Sequence, residues 1–264
     1  MNMIIKAMVS TALIISLIAS CGLLVAMVST TELRIAFVQT GHRPERLVNE
    51  FGTSVDMFER FLNVKIQTLY KPCDKEELPS VEELNEACDL LIIPGASIPI
   101  EKTTLKWVFD LQALVNNPKR RFWVFGVCFG HQLVGMAYGF RVKPMENGGE
   151  FGVYTIDTTD CISSITESLT VVESHRRTVV SPPGSSTSGK MELHVWARNE
   201  NGIQGFVSRK HKIFTCQFHP DYTVEYLLAS TTVKEFTDEE KRAMLSARID
   251  NHLVAERLKK LVYA

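Results

Sequence analysis

The chain has 264 residues, 45% of them apolar and 22% charged, with a formal net charge of −1. That length holds one well-packed α/β domain and is short for two, and the near-neutral balance gives no sign of a nucleic-acid partner. The six cysteines (Cys21, Cys73, Cys88, Cys128, Cys161 and Cys216) share no CxxC spacing, which argues against a zinc ribbon; their dispersion suits a reducing compartment better than a disulfide scaffold.

Residues 1–30 form an apolar leading segment. Ala7 to Val28 carries no charge and as a helix would be about 33 Å long, enough to cross a bilayer core. Lys6 and the amino terminus would stay on the cytoplasmic side. One expectation is therefore a transmembrane helix or signal peptide, with membrane association through residues 7–28 and a membrane-anchored or secretory protein. Ile18-Ala19-Ser20-Cys21 also resembles a lipoprotein cleavage box, although the apolar Gly22-Leu23-Leu24-Val25 after it is unusual. The alternative is translation from Met27 and a cytoplasmic enzyme, which the unpatterned cysteines favour slightly.

Leu33 to Val38 reads as a buried strand ending in Gln39-Thr40-Gly41. Pro44 to Leu62 has a helical period, and Val64 to Tyr70 alternates as a strand does. Ser80 with Glu83 forms a capping-box pattern before a short helix. Asp89 to Ile93 is a continuous apolar strand stopped by Pro94-Gly95, Thr104 to Val115 is helical, and Phe122 to Val127 is another buried strand. Between the last two, Pro118-Lys119-Arg120-Arg121 reads as a solvated loop.

Alternation of strand and helix predicts a three-layer, flavodoxin-like α/β fold with a mainly parallel sheet and helices on both faces. After Tyr138 the apolar runs shorten, as in Val153–Ile156 and Leu169–Val172, and suggest strands added at one side. Pro182 to Gly189 is a loop by composition, and Ile213 to Phe218 a last buried strand. Thr237 to Tyr263 is charged and helical in period, and its leucines fit a helix packed on the domain, with a partner-binding helix as the sharper reading. The expected organisation is an apolar segment 1–30, a domain over 31–230 and a helical extension over 231–264.

The strongest chemical signal is Gly126-Val127-Cys128-Phe129-Gly130-His131-Gln132 at a strand-to-helix junction. A nucleophile on such a turn adopts strained backbone angles and needs flanking glycines. The helix amino terminus is expected to lower the Cys128 pKa and to offer N–H groups to an oxyanion. The competing reading is a buried cysteine in a glycine-flanked turn. A thiol nucleophile needs an imidazole, and Gln217-Phe218-His219-Pro220-Asp221 supplies one at the end of the last strand, with Asp221 placed to fix its tautomer. Parallel strands end on one side of the sheet, so both elements can converge there.

These segments together resemble the class I glutamine amidotransferases, closest to the GMP-synthase-like branch, over roughly Leu33 to Leu228. Ile92-Ile93-Pro94-Gly95-Ala96-Ser97 sits where that family has its oxyanion loop, Glu173-Ser174-His175 where it has a Ser-His segment, and Ile203-Gln204-Gly205-Phe206 before the final strand also agrees. The resemblance implies Cys128 as nucleophile, His219 as base and Asp221 as third member. It implies an oxyanion hole from the amides of Ala96 and Phe129, with Gly95 letting the loop bend. Gln132, Ser174 and His175 would line the glutamine pocket. Asp221 departs from the usual glutamate, and Ala96 from a frequent glycine.

The implied reaction is acyl transfer to Cys128 from glutamine or another γ-glutamyl compound, followed by hydrolysis, with no metal or organic cofactor. Ammonia would pass to a separate synthetase partner, or the substrate would be a γ-glutamyl peptide or conjugate. A cysteine hydrolase of the dienelactone-hydrolase type normally places its acid before the histidine, unlike His219 and Asp221. A non-catalytic γ-glutamyl-binding regulator is the third rival, motivated by the departures at Asp221 and Ala96.

Overall fold

The computed structural model describes residues 33–159, 168–182, 193–231 and 234–264. The apolar segment 1–30 lies outside the described residues, as do residues 183–189 of the expected loop. The expectation of a transmembrane helix is corrected: among the described residues no helix is long and apolar enough to cross a membrane.

Residues 34–264 form one unit. Four short strands occur where the apolar runs lie: β1 (Ile35–Val38), β2 (Thr68–Tyr70), β3 (Leu90–Ile93) and β4 (Trp123–Val127). Between and after them run helices α1 (Glu45–Phe51), α2 (Ser54–Leu62), α3 (Val81–Ala87), α4 (Lys106–Val115) and α5 (Phe129–Ala137). The chain then adds β5 (Arg141–Pro144), β6 (Glu150–Thr158), β7 (Leu169–His175), β8 (Arg177–Val180), β9 (His194–Asn199), β10 (Gly202–Ser208) and β11 (Ile213–Cys216). It closes with α6 (Val224–Ser230), α7 (Asp238–Ser246) and α8 (Asn251–Val262).

The sheet order is β2-β1-β3-β4-β11-β10-β9-β6-β7, with β8 paired to β10 and β5 to β8. β2 to β11 pair in parallel. From β10 onward every pairing is antiparallel. Within the parallel half β1, β3, β4 and β11 are fully buried because helices cover both faces, whereas β2 at the edge is partly exposed. On one face Ala36, Val38, Leu91, Ile93 and Val124 meet apolar residues of α3, α4 and α5. On the other, Phe37 meets Phe58 of α2, Phe125 meets Phe58 and Phe61, and Phe214 stacks on Phe125. Phe125 is fully buried between three of these rings, so Phe125→Ala would cost about 3–5 kcal/mol.

Four local readings differ from the sequence expectation. The helical stretch 44–62 is two helices: Gly52 takes φ +87 and Thr53 caps α2, accepting from the Asp56 N–H while the Asp56 carboxylate accepts from Thr53. Residues 64–67 are not strand, because the Ile66 N–H donates to the Glu59 carboxylate and the Gln67 side chain accepts from the Ile35 N–H. The stretch 237–263 breaks between α7 and α8, where Asp250 exchanges bonds with the backbone of Thr170. α8 buries Val254, Leu258 and Leu261, whereas Leu245 of α7 is exposed. Arg120 is no solvated loop residue. Its guanidinium donates to the carbonyls of Val115 (3.0 Å), Phe122 (2.6 Å) and His211, tying the end of α4 to the β10–β11 turn.

Candidate active site

β4 delivers Cys128 to the carboxyl end of the parallel strands, as the N-cap of α5. Its backbone sits at φ 51 and ψ −100, and its N–H donates to the Cys216 carbonyl at 2.9 Å. A positive φ at a residue with a side chain costs on the order of 1–3 kcal/mol, so the surrounding structure must hold it. The two flanking glycines do so by close approach. A Cβ on Gly126 would lie 2.7 Å from the Gly130 carbonyl group, and one on Gly130 would collide with the Ile93 carbonyl. Helix α5 therefore rests directly on strand backbone, and the turn cannot relax.

The parallel neighbour β11 brings the next group. His219 is anchored by its N–H to the Val172 carbonyl at 2.8 Å. Its Nδ1 lies 3.1 Å from Asp221 Oδ1, and both side chains are buried. An aspartate two residues away is thus long enough to reach the ring. Tyr222 stacks on the imidazole with centroids 3.8 Å apart and planes at 16°, which fixes the ring's plane. Gly95 of the β3 loop packs against both residues. A Cβ there would lie 2.6 Å from His219 Cε1 and 3.5 Å from Cys128 Cβ. Gly95 is not among the positive-φ glycines. Glycine is needed there for room beside His219, not for a bend. The Thr40 hydroxyl donates to the Gly95 carbonyl at 2.9 Å and ties the β1 loop to this one.

Two adjoining cavities meet at Cys128. One, of about 520 Å³, is lined by His219, Gly95, Ala96, Tyr222 and residues of the β1 loop. The other, of about 380 Å³, is lined by Gln132, Ser174, His175, Arg176 and Arg177. Ala96 and Ser174 line both. Phe129 is buried as the first residue of α5. Gln132 donates to the Gln217 side chain at 3.2 Å. His131, in the same motif, faces the core between Thr215 and the Ile203 carbonyl, and burial lowers its pKa to about 3.

The electrostatics of Cys128 run against the sequence expectation. Burial pushes its thiol up to about 12, and the nearby carboxylates of Glu173 and Asp221 add to the rise. Hydrogen bonds from the Phe129 backbone and the Gln217 side chain pull the other way but do not prevail. The helix terminus acts as expected in sign; desolvation exceeds it.

Three contributors were not singled out from the sequence. Arg43, in the loop after β1, places Nη2 3.7 Å from Asp221 Oδ2 and donates from Nε to Ser54 Oγ at 2.7 Å. It also contacts the Tyr226 hydroxyl and lies over the Tyr222 and Tyr226 rings. Its charge partly offsets that of Asp221, whose Oδ2 has no hydrogen bond. The other two are Glu150 and Glu173, which bracket His175 Nε2 at 3.1 and 2.9 Å. Burial would lower the His175 pKa, but Glu173 and Glu150 together raise it to about 9. Burial raises Glu173 to about 7, against the pull of His175. His175 Nδ1 donates to the Arg177 carbonyl at 2.9 Å, and Glu150 accepts from Asn199, Asn201 and Gln204. Glu150, Glu173 and His175 are spaced as metal ligands could be, and the His175 ring already pairs with both acids. The only hint of this cluster in the sequence was Glu173 beside Ser174-His175.

The profile of the "Glutamine amidotransferase class-I" family matches residues 49–231. A glutamine-hydrolyzing GMP synthase subunit of Sulfolobus acidocaldarius is 31% identical over 148 residues, covering 54% of this chain and 71% of that protein. Gamma-glutamyl peptidase 2 of Arabidopsis thaliana is 26% identical over 166 residues, covering 58% and 60%. The crystal structure of a glutamine amido transferase from Methylobacillus flagellatus superposes with a TM-score of 0.60 at 17% identity, over 89% of this chain and 93% of that one.

Proposed function

The chain belongs to the class I glutamine amidotransferase family, and on that premise we propose that it hydrolyses a γ-glutamyl amide through Cys128, His219 and Asp221. One observation carries the reading: a cysteine held at φ 51 on a strand-to-helix turn, beside a glycine that also touches a buried histidine bonded to an aspartate. Because the resting thiol is protonated, the nucleophile is made as it is used. His219 takes the Cys128 proton as sulfur attacks the γ-carbonyl, and Asp221 stabilises the imidazolium through Nδ1. The N–H groups of Ala96 and Phe129 face the developing oxyanion. His219 then protonates the departing nitrogen, and water, deprotonated by His219, cleaves the thioester to release glutamate. Gln132 and the backbone of Ser174 and His175 hold the glutamyl part, and Gly95 leaves room for the ring of His219. Residues 31–230 serve as the catalytic domain, with 231–264 as a helical extension packed on it.

The leaving group separates two readings. With glutamine the product is ammonia, and a synthetase partner would receive it, in keeping with a relative that is itself named as one subunit of a synthase. With a γ-glutamyl peptide the product is an amine. The similarity to a γ-glutamyl peptidase and the two arginines lining the smaller cavity favour that second reading. Glutamate release should be measured from glutamine and from γ-glutamyl dipeptides, with Cys128→Ala as control. Release that disappears with Cys128→Ala supports the reading, and the faster substrate chooses between amidase and peptidase. Binding of γ-glutamyl ligands without any turnover would overturn it in favour of a regulator.

A further inference from the structure

Among the described residues one other cluster joins a thiol, an imidazole and a carboxylate: His42, which lies at the edge of the larger cavity, with Cys73 and Asp74. It is assembled by two loops. His42 follows β1, and Cys73 and Asp74 sit in a short 3-10 turn after β2. β1 and β2 are parallel neighbours, so both loops emerge at the carboxyl end of the sheet, where Cys128 also sits.

The geometry excludes a second catalytic triad. In a triad the thiol and the carboxylate approach opposite ring nitrogens. Here Asp74 Oδ1 lies 2.6 Å and Cys73 Sγ 4.0 Å from the same atom, His42 Nε2, and Sγ and Oδ1 are 3.5 Å apart. Three donor atoms of different chemistry thus surround one point. Zinc bonds of about 2.0 Å to nitrogen and oxygen and about 2.3 Å to sulfur give tetrahedral edges of roughly 3.3–3.6 Å. The three observed separations straddle that range, so small side-chain rotations suffice. Gln39 Nε2 lies 3.1 Å from the other ring nitrogen, Nδ1; with a metal on Nε2 that nitrogen carries the hydrogen, so the Gln39 amide turns over to present its oxygen as acceptor. Such a partner orients a ligating imidazole.

We propose that His42, Cys73 and Asp74 bind a divalent cation of zinc type, with water in the fourth position. A mixed sulfur, nitrogen and oxygen set suits zinc or cobalt and disfavours magnesium or calcium. Binding breaks the Cys73 S–H bond, forms a metal–sulfur bond and releases one proton to solvent, so affinity rises with pH. The thiol is held protonated without the ion, pushed up to about 11 by burial and by Asp74. The ion would clamp the β1 loop, in which Arg43 is the next residue, to the β2 turn.

The test is cobalt titration of the full chain carrying Cys128→Ala, which removes the active-site thiol. One equivalent should produce a sulfur-to-cobalt charge-transfer absorption that zinc abolishes. Cys73→Ser in that background should lose the band, and His42→Ala should weaken binding at least tenfold, each with an unchanged melting temperature. A missing band, or one that survives Cys73→Ser, overturns the proposal. Independently of those variants, saturating zinc should protect Cys73 from alkylation in peptide-mapped mass spectra; unprotected Cys73 overturns it as well. Neither readout involves turnover, so either result leaves the proposed hydrolysis untouched.

Discussion

His219 and His175 are both buried histidines held by carboxylates near Cys128, yet their surroundings differ in a way that separates chemistry from structure. His219 has one carboxylate partner, Asp221, whose second oxygen is shared with Arg43, and its ring borders a cavity beside Cys128. His175 has two carboxylates on one nitrogen and a carbonyl on the other. A base must be free to gain and lose a proton during each turnover. His175 is saturated with negative partners and keeps its proton as part of the fold. His219 has an acid sufficient to orient it and a cation to moderate that acid.

Substitutions can break or sharpen this contrast. The largest effect is expected from His219→Asn, which should lower kcat for glutamate release by about 10³-fold or more without loss of fold. Asp221→Asn should cost about 10²- to 10⁴-fold in kcat, with KM changed far less, because it disturbs the tautomer and orientation of His219 rather than the substrate pocket. On the other side, His175→Gln should act on stability. The raised pKa of His175 means that its contribution is fully present below about pH 6.5 and is lost as pH climbs towards 9. Urea midpoints should therefore fall between pH 6.5 and 9 in the parent chain and flatten in the variant; an unchanged slope would remove His175 as the cause. The smallest effect is expected from Arg43→Met, a loss of about tenfold in kcat with KM retained, partly restored by Arg43→Lys. An equal loss in every variant at this position, with lowered melting temperature, would reduce Arg43 to a packing residue.

The sequence made local features legible and left the electrostatic ones hidden. Continuous apolar runs marked β1, β3, β4 and β11 because both faces of those strands are covered. The Gly126–Gly130 elbow was readable because its glycines answer to a single strand–helix contact, and the Ser80–Glu83 capping box because it is complete within four residues. The break at Gly52 was missed because the apolar period runs across it, and its cause is the cap at Thr53. Arg43 acts on a residue far along the chain, and nothing near Gln39-Thr40-Gly41 announces Asp221. The Cys128 thiol was expected to be acidic from its helix end alone. Only the assembled site reveals that desolvation and Glu173 exceed that effect.

The central claim is that sulfur of Cys128 becomes acylated with His219 as its base. Intact-mass and peptide-mapping measurements during turnover of a slow γ-glutamyl ester test it directly. One glutamyl adduct per chain is expected, located on the peptide holding Cys128 and absent in His219→Asn at neutral pH. Turnover with no adduct under rapid acid quench, or an adduct on another cysteine, would contradict it.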